Sequence, residues 1–154
     1  MPPKILHSPQ DLKNLTGKEL APTDWFTVTQ DRINKFAEAT EDRQWIHLNE
    51  SRAKNESPFG TTIAHGFLTL SLVSHFMKQA IEVRGGVRLA VNYGLNKVRF
   101  PAPVKANAKI RAIVKVQSVK ELPDCIEAIF EVTIEAENAQ KPSCAAECIV
   151  RYYF

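Results

Sequence analysis

Residues 66–80, which read GFLTLSLVSHFMKQA, decide the fold of this chain. The stretch is apolar almost all the way round a helix, and such a pattern predicts a helix that is enclosed by protein rather than laid on its surface. It is also shorter than the roughly 20 apolar residues that a membrane-spanning helix needs. Arg84-Gly85-Gly86 follows and predicts a turn that closes the connection to the next element.

Three segments in the second half of the chain alternate between apolar and polar residues. The apolar side chains hold the even positions over 108–116, 126–136 and 144–154. Alternation with a period of two predicts β-strands that have one buried and one solvated face. The connections around Pro123 and Pro142 are short, so we expect neighbouring strands to run antiparallel.

Charged residues on the solvated faces predict how the first two of these strands pair. A turn midway between them sets Lys115 opposite Glu131 and Arg111 opposite Glu135, and a slip of a few residues still sets Lys115 opposite Glu127. Exposed cross-strand ion pairs stabilise a sheet by only about 0.2–1 kcal/mol each. We therefore interpret them as determinants of register and not as a substrate site.

Residues 87–100 predict a further strand that contains an irregularity. Their apolar residues hold the odd positions through Leu95 and the even positions from Val98, with Gly94 next to the change. A change of phase next to a glycine predicts a β-bulge. Pro101 and Pro103 then end the strand.

These elements predict an α+β domain in which a long antiparallel sheet wraps around a central helix at about residues 66–80. A chain of 154 residues has the size of one domain, and we assign residues 1–23 to an N-terminal arm and residues 24–154 to that domain. Within the arm, Ser8 and Pro9 predict the start of a short helix. Such a sheet leaves edges and apolar rims exposed unless a second copy covers them, so we expect a homodimer.

The segment between the arm and the enclosed helix shows weaker patterns. Residues 25–28 predict a brief strand, and Thr29 predicts the cap of a helix that ends near residue 40. Residues 42–65 show no long periodic segment, and only residues 51–55 suggest one helical turn. So long an irregular stretch inside a small domain points to a functional segment.

Composition and charge exclude several classes of function. The formal net charge of +3, from 20 basic and 17 acidic residues, is too small and too scattered to predict a nucleic-acid partner. No apolar run is long enough for a membrane span, and the N-terminus lacks the apolar core of a secretory signal, so we expect a cytoplasmic protein with no membrane partner. We interpret Cys125, Cys144 and Cys148 as small apolar side chains in strands rather than as metal ligands or nucleophiles.

Asp42 and His47 are the first candidates for chemistry, because they lie in the irregular stretch where functional groups are commonly displayed. A carboxylate and an imidazole in a bent loop can converge on one water molecule, take its proton and return one to carbon. The structural alternative is that Asp42 caps the end of a helix and His47 lies on the surface. Spacing alone favours that alternative.

Gly66 is the second candidate, because it begins the predicted enclosed helix. Its N–H points out along the helix axis at the positive end of the dipole, where it suits a developing negative charge on a substrate oxygen. Close packing explains a glycine at this position equally well. Ser71 can bond a carbonyl within the same helix, His75 fits a buried core histidine, and His65 fits a residue that positions the turn.

Three strings in this order resemble the MaoC-like dehydratase family: EDRQWIH over 41–47, IAHGFLTLS over 63–71 and NYGLNKVRFPAPV over 92–104. The likeness is to its branch of (R)-specific enoyl-CoA hydratases and nodulation-protein-N-like members. The resemblance implies a hot-dog fold and a hydro-lyase that hydrates a trans-2-enoyl-CoA or dehydrates an (R)-3-hydroxyacyl-CoA. It also implies an acyl-CoA thioester as substrate and no metal or redox cofactor.

The resemblance assigns a role to each matching position. The family's catalytic acid falls on Asp42, its catalytic histidine on His47, its oxyanion-binding N–H on Gly66 and its helix serine on Ser71. Many hydratases of the family have Asn-Pro where this chain has Gln44-Trp45, and the bulk of the tryptophan bears on the shape of the acyl pocket.

Two other functions stay open on the sequence alone. One is a hot-dog acyl-CoA thioesterase, which would release free thiol where a hydratase releases none. The other is a non-catalytic module that binds acyl-CoA or an acyl carrier without turnover.

Overall fold

A five-stranded antiparallel sheet forms the body of the computed structural model, which describes residues 1–154. The elements in chain order are β1 (Lys4–Leu6), α1 (Pro9–Lys13), β2 (Phe26–Thr27), α2 (Gln30–Thr40), α3 (Trp45–Leu48), α4 (Glu50–Glu56), α5 (Gly66–Ser71), α6 (Val73–Ala80), β3 (Ile81–Val83), β4 (Leu89–Arg99), β5 (Lys109–Glu121), β6 (Cys125–Ala136) and β7 (Cys144–Tyr153). The sheet has the order β2-β5-β6-β7-β4, and β1 and β3 form a separate parallel pair.

The core lies between one face of this sheet and the helices α5 and α6. The even-numbered residues along most of β5, β6 and β7 are buried, as their alternation predicts. Leu68, Leu72, Phe76 and Ala80 are buried too, and their spacing of four residues places them on one helical face. The predicted α+β architecture of a long antiparallel sheet around a central helix is confirmed.

The central helix differs from the prediction in two respects. It consists of α5 and α6, which meet at Leu72, although the amide of Phe76 still donates to the Leu72 carbonyl and the chain keeps its direction. It is not enclosed on all sides, because Phe67 is 70% exposed and Ser74 is also exposed. None of the helices is long and apolar enough to cross a membrane.

The predicted strand register is confirmed by ion pairs between β5 and β6. Arg111 lies opposite Glu135 with nitrogen and oxygen 2.7 Å apart, and Lys115 lies opposite Glu131 at 3.5 Å. β4 also behaves as predicted, because its pairing with β7 shifts register next to Gly94 and the strand ends before the two prolines.

The irregular stretch between α2 and α5 holds more helix than the sequence predicts. The expected turn near residues 51–55 is α4, which Asn49 caps by accepting the amide of Arg52 at 2.9 Å. The short helix α3 was missed. It spans only four residues, too few for an apolar period, and its N-cap Gln44 makes no side-chain capping bond.

The N-terminal arm packs against the same core as the sheet. Ser8 forms the predicted capping box with Asp11, and Leu6 and Leu12 are buried. β1 lies beside β3, where Gly85 has a φ of 89° and comes so close to the His7 carbonyl that a side chain would collide with it.

Residues 17–27 cover the outer edge of β5. The amides of Gly17, Leu20 and Thr23 donate to carbonyls of β5 at 2.7, 2.8 and 2.9 Å, and β2 continues the pairing over two residues. The hydroxyl of Thr23 also accepts the buried amide of Ala112 at 2.9 Å. At the opposite side of the sheet, the outer edge of β4 has no neighbouring strand.

We expect Thr23→Val to lower the free energy of unfolding by about 1–3 kcal/mol, the typical cost of leaving a buried donor without its partner. The substitution keeps the shape of the side chain and removes the acceptor for Ala112, together with a long hydrogen bond of 3.4 Å from the hydroxyl to the Asp24 carbonyl. Urea unfolding measures the change, with Thr27→Val, at an exposed site on β2, as the matched control. Equal unfolding midpoints for wild type and Thr23→Val would contradict the role given to this hydroxyl.

Candidate active site

Asp42, His47 and His65 form a cluster in which one polar atom of each lies within 4.8 Å of the others. Asp42 follows the end of α2, where Glu41 takes a left-handed φ of 61° and turns the chain. His47 lies in α3, and His65 directly precedes α5. The structure thus brings Asp42 and His47 together and adds a second histidine.

Ile63 supplies the backbone that holds His47. Its N–H donates to the Ile46 carbonyl at 3.1 Å, and its own carbonyl accepts from Nδ1 of His47 at 2.7 Å. Residues 62–64 are in turn tied by backbone hydrogen bonds to residues 104–106. The histidine is therefore attached to the segment that leads from α4 into the central helix.

His47 has one free ring nitrogen. Because a carbonyl can only accept, Nδ1 carries the proton and Nε2 keeps its lone pair. The side-chain amide of Gln30 donates to the His47 carbonyl at 2.7 Å and accepts from the hydroxyl of Thr62. His47 is only 6% exposed, so the alternative that it lies on the surface is wrong.

The environment of His47 favours the neutral imidazole. Burial lowers its pKa below the ordinary range, and a charge on the neighbouring His65 lowers it further. The hydrogen bond to the Ile63 carbonyl and the carboxylate of Asp42 act in the opposite direction without reversing the shift. The basic Nε2 is thus available at neutral pH.

Asp42 has a fixed backbone and an exposed carboxylate. Its carbonyl accepts from Nε2 of His65 at 2.9 Å, and its Oδ1 accepts the amide of Gln44 at 3.4 Å. The caps of α2 and α3 are Glu41 and Gln44, so Asp42 caps neither helix. The structural alternative for this residue is therefore wrong as well.

Gly66 begins α5, as the sequence predicts, and its N–H donates to no protein atom. The close-packing explanation for this glycine also has support. A Cβ at this position would lie 3.1 Å from the ring of Phe100. Both properties hold at once: the site needs a small residue there, and the amide is free to donate.

Ser71 and His75 make no hydrogen bond to the cluster. The hydroxyl of Ser71 donates to the Phe67 carbonyl at 2.7 Å within α5, and no hydrogen bond joins it to Asp42 or His47. The prediction that His75 is a core histidine is wrong. It is exposed on α6, packs on the ring of Phe26 and contacts the side chain of Gln79.

Two residues of the cluster's surroundings were missed as site residues. His65 had a usable signal, because it directly precedes the glycine that begins the predicted helix. Gln30 had none, because a polar residue just after a helix cap is ordinary on an exposed helix. Its contacts with His47 and Thr62 come from chain segments far apart in the sequence.

A cavity of about 980 Å³ lies between α5 and α6 on one side and β4 and β7 on the other, and no residue of the cluster lines it. Most of its lining is apolar, with Ser71, Ser74 and Asn92 among the polar exceptions. Trp45 does not line it. The indole instead packs under the guanidinium of Arg52, 4.1 Å from the ring centroid, so its bulk does not narrow this cavity.

The cluster's two imidazoles are poorly arranged to hold one metal ion together. One nitrogen of each ring is already bonded to a carbonyl. The rings of His47 and His65 stack with centroids 3.8 Å apart and planes 24° apart. Each remaining lone pair lies in the plane of its own ring, and two nearly parallel planes do not meet close to the rings.

The cysteines offer no nucleophile. All three are buried and none is in a disulfide. Burial raises the pKa of Cys144 and of Cys148 to about 11, so both stay protonated at neutral pH. The interpretation of these residues as small apolar side chains in strands is confirmed by their burial in β6 and β7.

Comparison with known proteins gives one family and several relatives. Residues 11–138 match the family described as MaoC like domain. The chain is 47% identical over 150 residues to 3-hydroxyacyl-thioester dehydratase Z of Mycobacterium tuberculosis, covering 97% of this chain and 98% of that protein. It is 40% identical over 145 residues to nodulation protein N of Rhizobium leguminosarum bv. viciae, covering 94% and 90%.

The structure of an R-hydratase from Pseudomonas aeruginosa is similar to this chain with a TM-score of 0.70 and 22% sequence identity. The match covers 90% of this chain and 81% of that one. At this level of identity the likeness concerns the fold, which is the hot-dog fold.

We expect the protein to lose stability on acidification, in part because of His47. Burial keeps its pKa in the folded protein below the ordinary value of about 6.5, so at lower pH the unfolded chain binds a proton that the folded protein does not. The free energy of unfolding therefore falls as the pH drops from about 6.5 toward the folded pKa, and His47→Gln should flatten this dependence.

Urea unfolding on both sides of about pH 6.5 measures the effect. His75→Gln, at an exposed histidine outside the cluster, serves as the control and should keep the wild-type dependence. If the free energy of unfolding falls equally steeply with decreasing pH in wild type and His47→Gln, the prediction is contradicted.

Proposed function

Because the chain belongs to the MaoC-like dehydratase family, it is an enzyme of the hydratase and dehydratase class, and we propose that it reversibly hydrates trans-2-enoyl-CoA to (R)-3-hydroxyacyl-CoA. The observation that carries this proposal is the cluster in which a buried, neutral His47 and the carboxylate of Asp42 lie within reach of one water molecule. Such a pair can take a proton from water and return one to carbon.

In the proposed reaction, His47 and Asp42 orient a water molecule against the β-carbon of the substrate. The water oxygen forms a bond to that carbon while one of its protons passes to the pair. The electrons of the double bond move toward the thioester and leave an enolate-like oxygen. The pair then delivers a proton to the α-carbon, so that water is added across the bond with no other reactant. The reverse sequence is the dehydration.

Gly66 is the proposed donor to the enolate-like oxygen. Its amide is the first of α5 and donates to no protein atom, so it can bond the substrate without losing an existing bond. Removing one donor of this kind typically costs about 10²–10³-fold in rate. Phe100 packs against Gly66 and leaves no room for a larger side chain at this position.

The proposed place for the acyl chain is the cavity beside the central helix. Leu70 and Ser71 line it and lie four and five residues beyond Gly66 along α5. At about 1.5 Å per residue this separates them from the Gly66 position by about 6–7.5 Å. An acyl chain can therefore extend from a carbonyl at Gly66 along the helix into the cavity. Ser71 would border its path.

We expect Asp42→Asn and His47→Gln each to lower kcat for crotonyl-CoA hydration by about 10²–10⁴-fold, the usual contribution of one general acid–base group. Both substitutions keep the size of the side chain and remove its ability to exchange a proton. The loss of absorbance of the conjugated double bond measures the rate. Asp124→Asn and His75→Gln, outside the cluster, are the matched controls and should keep wild-type rates.

The same assay separates the proposed function from the other two. A thioesterase would release CoA thiol, which a thiol reagent detects, and its product would not be the hydrated thioester. A binding module would bind acyl-CoA without turnover, and Asp42→Asn would leave that binding unchanged. Full hydration activity in folded Asp42→Asn or His47→Gln would refute the assignment of the pair.

We also propose that two copies pair through β4. This strand ends the sheet, and its outer edge has backbone groups that no other strand meets. Leu89, Val91, Tyr93 and Leu95 are all exposed along it. The other end of the sheet is covered by residues 17–27, so β4 is where a second copy can continue the sheet.

We expect Val91→Lys to convert the dimer into monomers, because two-fold pairing of β4 brings like charges close together at an apolar edge. Sedimentation velocity measures the mass of each species. Ile5→Lys places the same charge at an exposed apolar residue of β1 and should leave the dimer intact. A wild-type protein that sediments as a monomer at every concentration would refute the pairing.

A further inference from the structure

His65 joins three parts of the candidate active site. It is only 3% exposed, and its carbonyl accepts the amides of Leu68 and Thr69, so it is the residue from which α5 starts. Its side chain points back to the loop that carries Asp42. Gly66, the proposed oxyanion donor, follows it directly in the chain.

The hydrogen bond from His65 to Asp42 restrains a loop whose other side-chain bonds are exposed. Arg43 pairs with Glu38 and Glu41 at the surface, where ion pairs stabilise little. Nε2 of His65 donates to the Asp42 carbonyl at 2.9 Å. The residues on either side of Asp42 lie outside any helix or strand, and its other bond, to the Gln44 amide, is long at 3.4 Å. The position of the carboxylate therefore depends on the tie to His65.

The ring of His65 also restrains the plane of His47. It lies between two rings, with the Phe36 centroid at 4.9 Å and the His47 centroid at 3.8 Å, nearly parallel to the latter. The hydrogen bond to Ile63 restrains His47 through one nitrogen, and the stack restrains the tilt of the ring about that bond. Together the hydrogen bond and the stack fix the direction of Nε2 of His47.

The second ring nitrogen of His65 has no hydrogen-bond partner. Because Nε2 carries a proton for the Asp42 carbonyl, the neutral ring leaves Nδ1 bare, and that atom is buried with no partner. The titratable groups that face His47 are His65 on one side and the Asp42 carboxylate on the other.

Building on the proposed hydratase function, we propose that His65 is a positioning residue that holds the Asp42 loop by a hydrogen bond and the His47 ring by stacking. It does not touch the reacting atoms in this role. Its loss should act on kcat more than on KM, because a misplaced catalytic group can slow a reaction about 10²-fold without changing substrate binding.

Two variants separate the two restraints. His65→Phe keeps a flat ring for the stack and removes the donor, whereas His65→Gln keeps a donor that can reach the Asp42 carbonyl and removes the stack. We expect His65→Phe to lose about 10²-fold in kcat with little change in KM, and His65→Gln to lose less. His75→Gln is the control. Wild-type kcat in both variants, or losses no larger than the unfolded fraction explains, would overturn the proposal.

Nuclear magnetic resonance gives readouts that need no turnover. The ring-nitrogen shifts of the wild type should identify His65 as the tautomer protonated at Nε2, and the opposite tautomer would overturn the proposal. The titration midpoint of His47 should rise in both variants, because the charge of His65 that opposes protonation of His47 is removed. An unchanged midpoint would contradict the interaction between the two rings.

The two proposals can fail separately in these experiments. A folded wild type that does not hydrate enoyl-CoA refutes the function whatever the tautomer of His65. A hydratase whose His65 variants keep full kcat retains the function and refutes the positioning role.

Discussion

The strands β5, β6 and β7 each have one apolar face that must be buried, and α5 and α6 bury it. Their buried residues recur every fourth position, so only one helical face meets the sheet and the axis of the helix is set by it. The start of the helix is equally restrained. Residues 62–64 are bonded to residues 104–106 just before β5, so Gly66 has little freedom to move along the sheet.

The cluster of Asp42, His47 and His65 follows from that restraint. Both histidines are bonded to backbone carbonyls, His47 to that of Ile63 and His65 to that of Asp42, and not to other side chains. Each of these bonds also selects a tautomer, so the ring nitrogen that faces the site is decided by the path of the backbone. The chemistry of the site thus rests on the same segment that positions the helix on the sheet.

The sequence predicted those parts of the fold that have a period. The strands β5, β6 and β7, their register and the irregularity in β4 were visible because alternation and cross-strand charge are local signals. The helix α3 was not, since four residues without a capping side chain leave no such signal. The enclosure of the central helix was overestimated. Apolar residues such as Phe67 and Leu95 are exposed in a single chain, and sequence cannot distinguish a residue covered by its own chain from one available to a second copy.

At the site, the pairing of Asp42 with His47 could be predicted from a motif, but the support around it could not. His65 and Gln30 act through contacts with residues 17 to 32 positions away, which only the folded backbone brings together. The burial of His47, which lowers its pKa, is likewise a property of packing and not of the string in which it occurs.

The cover that residues 17–27 place over β5 limits how copies of this chain can polymerise. A sheet open at both edges can add copies without end, as happens in fibres. Here the amides and carbonyls at one edge are already used by the chain's own N-terminal segment. A contact made edge to edge through the remaining strand is self-complementary and is complete once two copies have met. Residues 17–27 therefore leave only the β4 edge open to another strand, and their removal would expose a second edge.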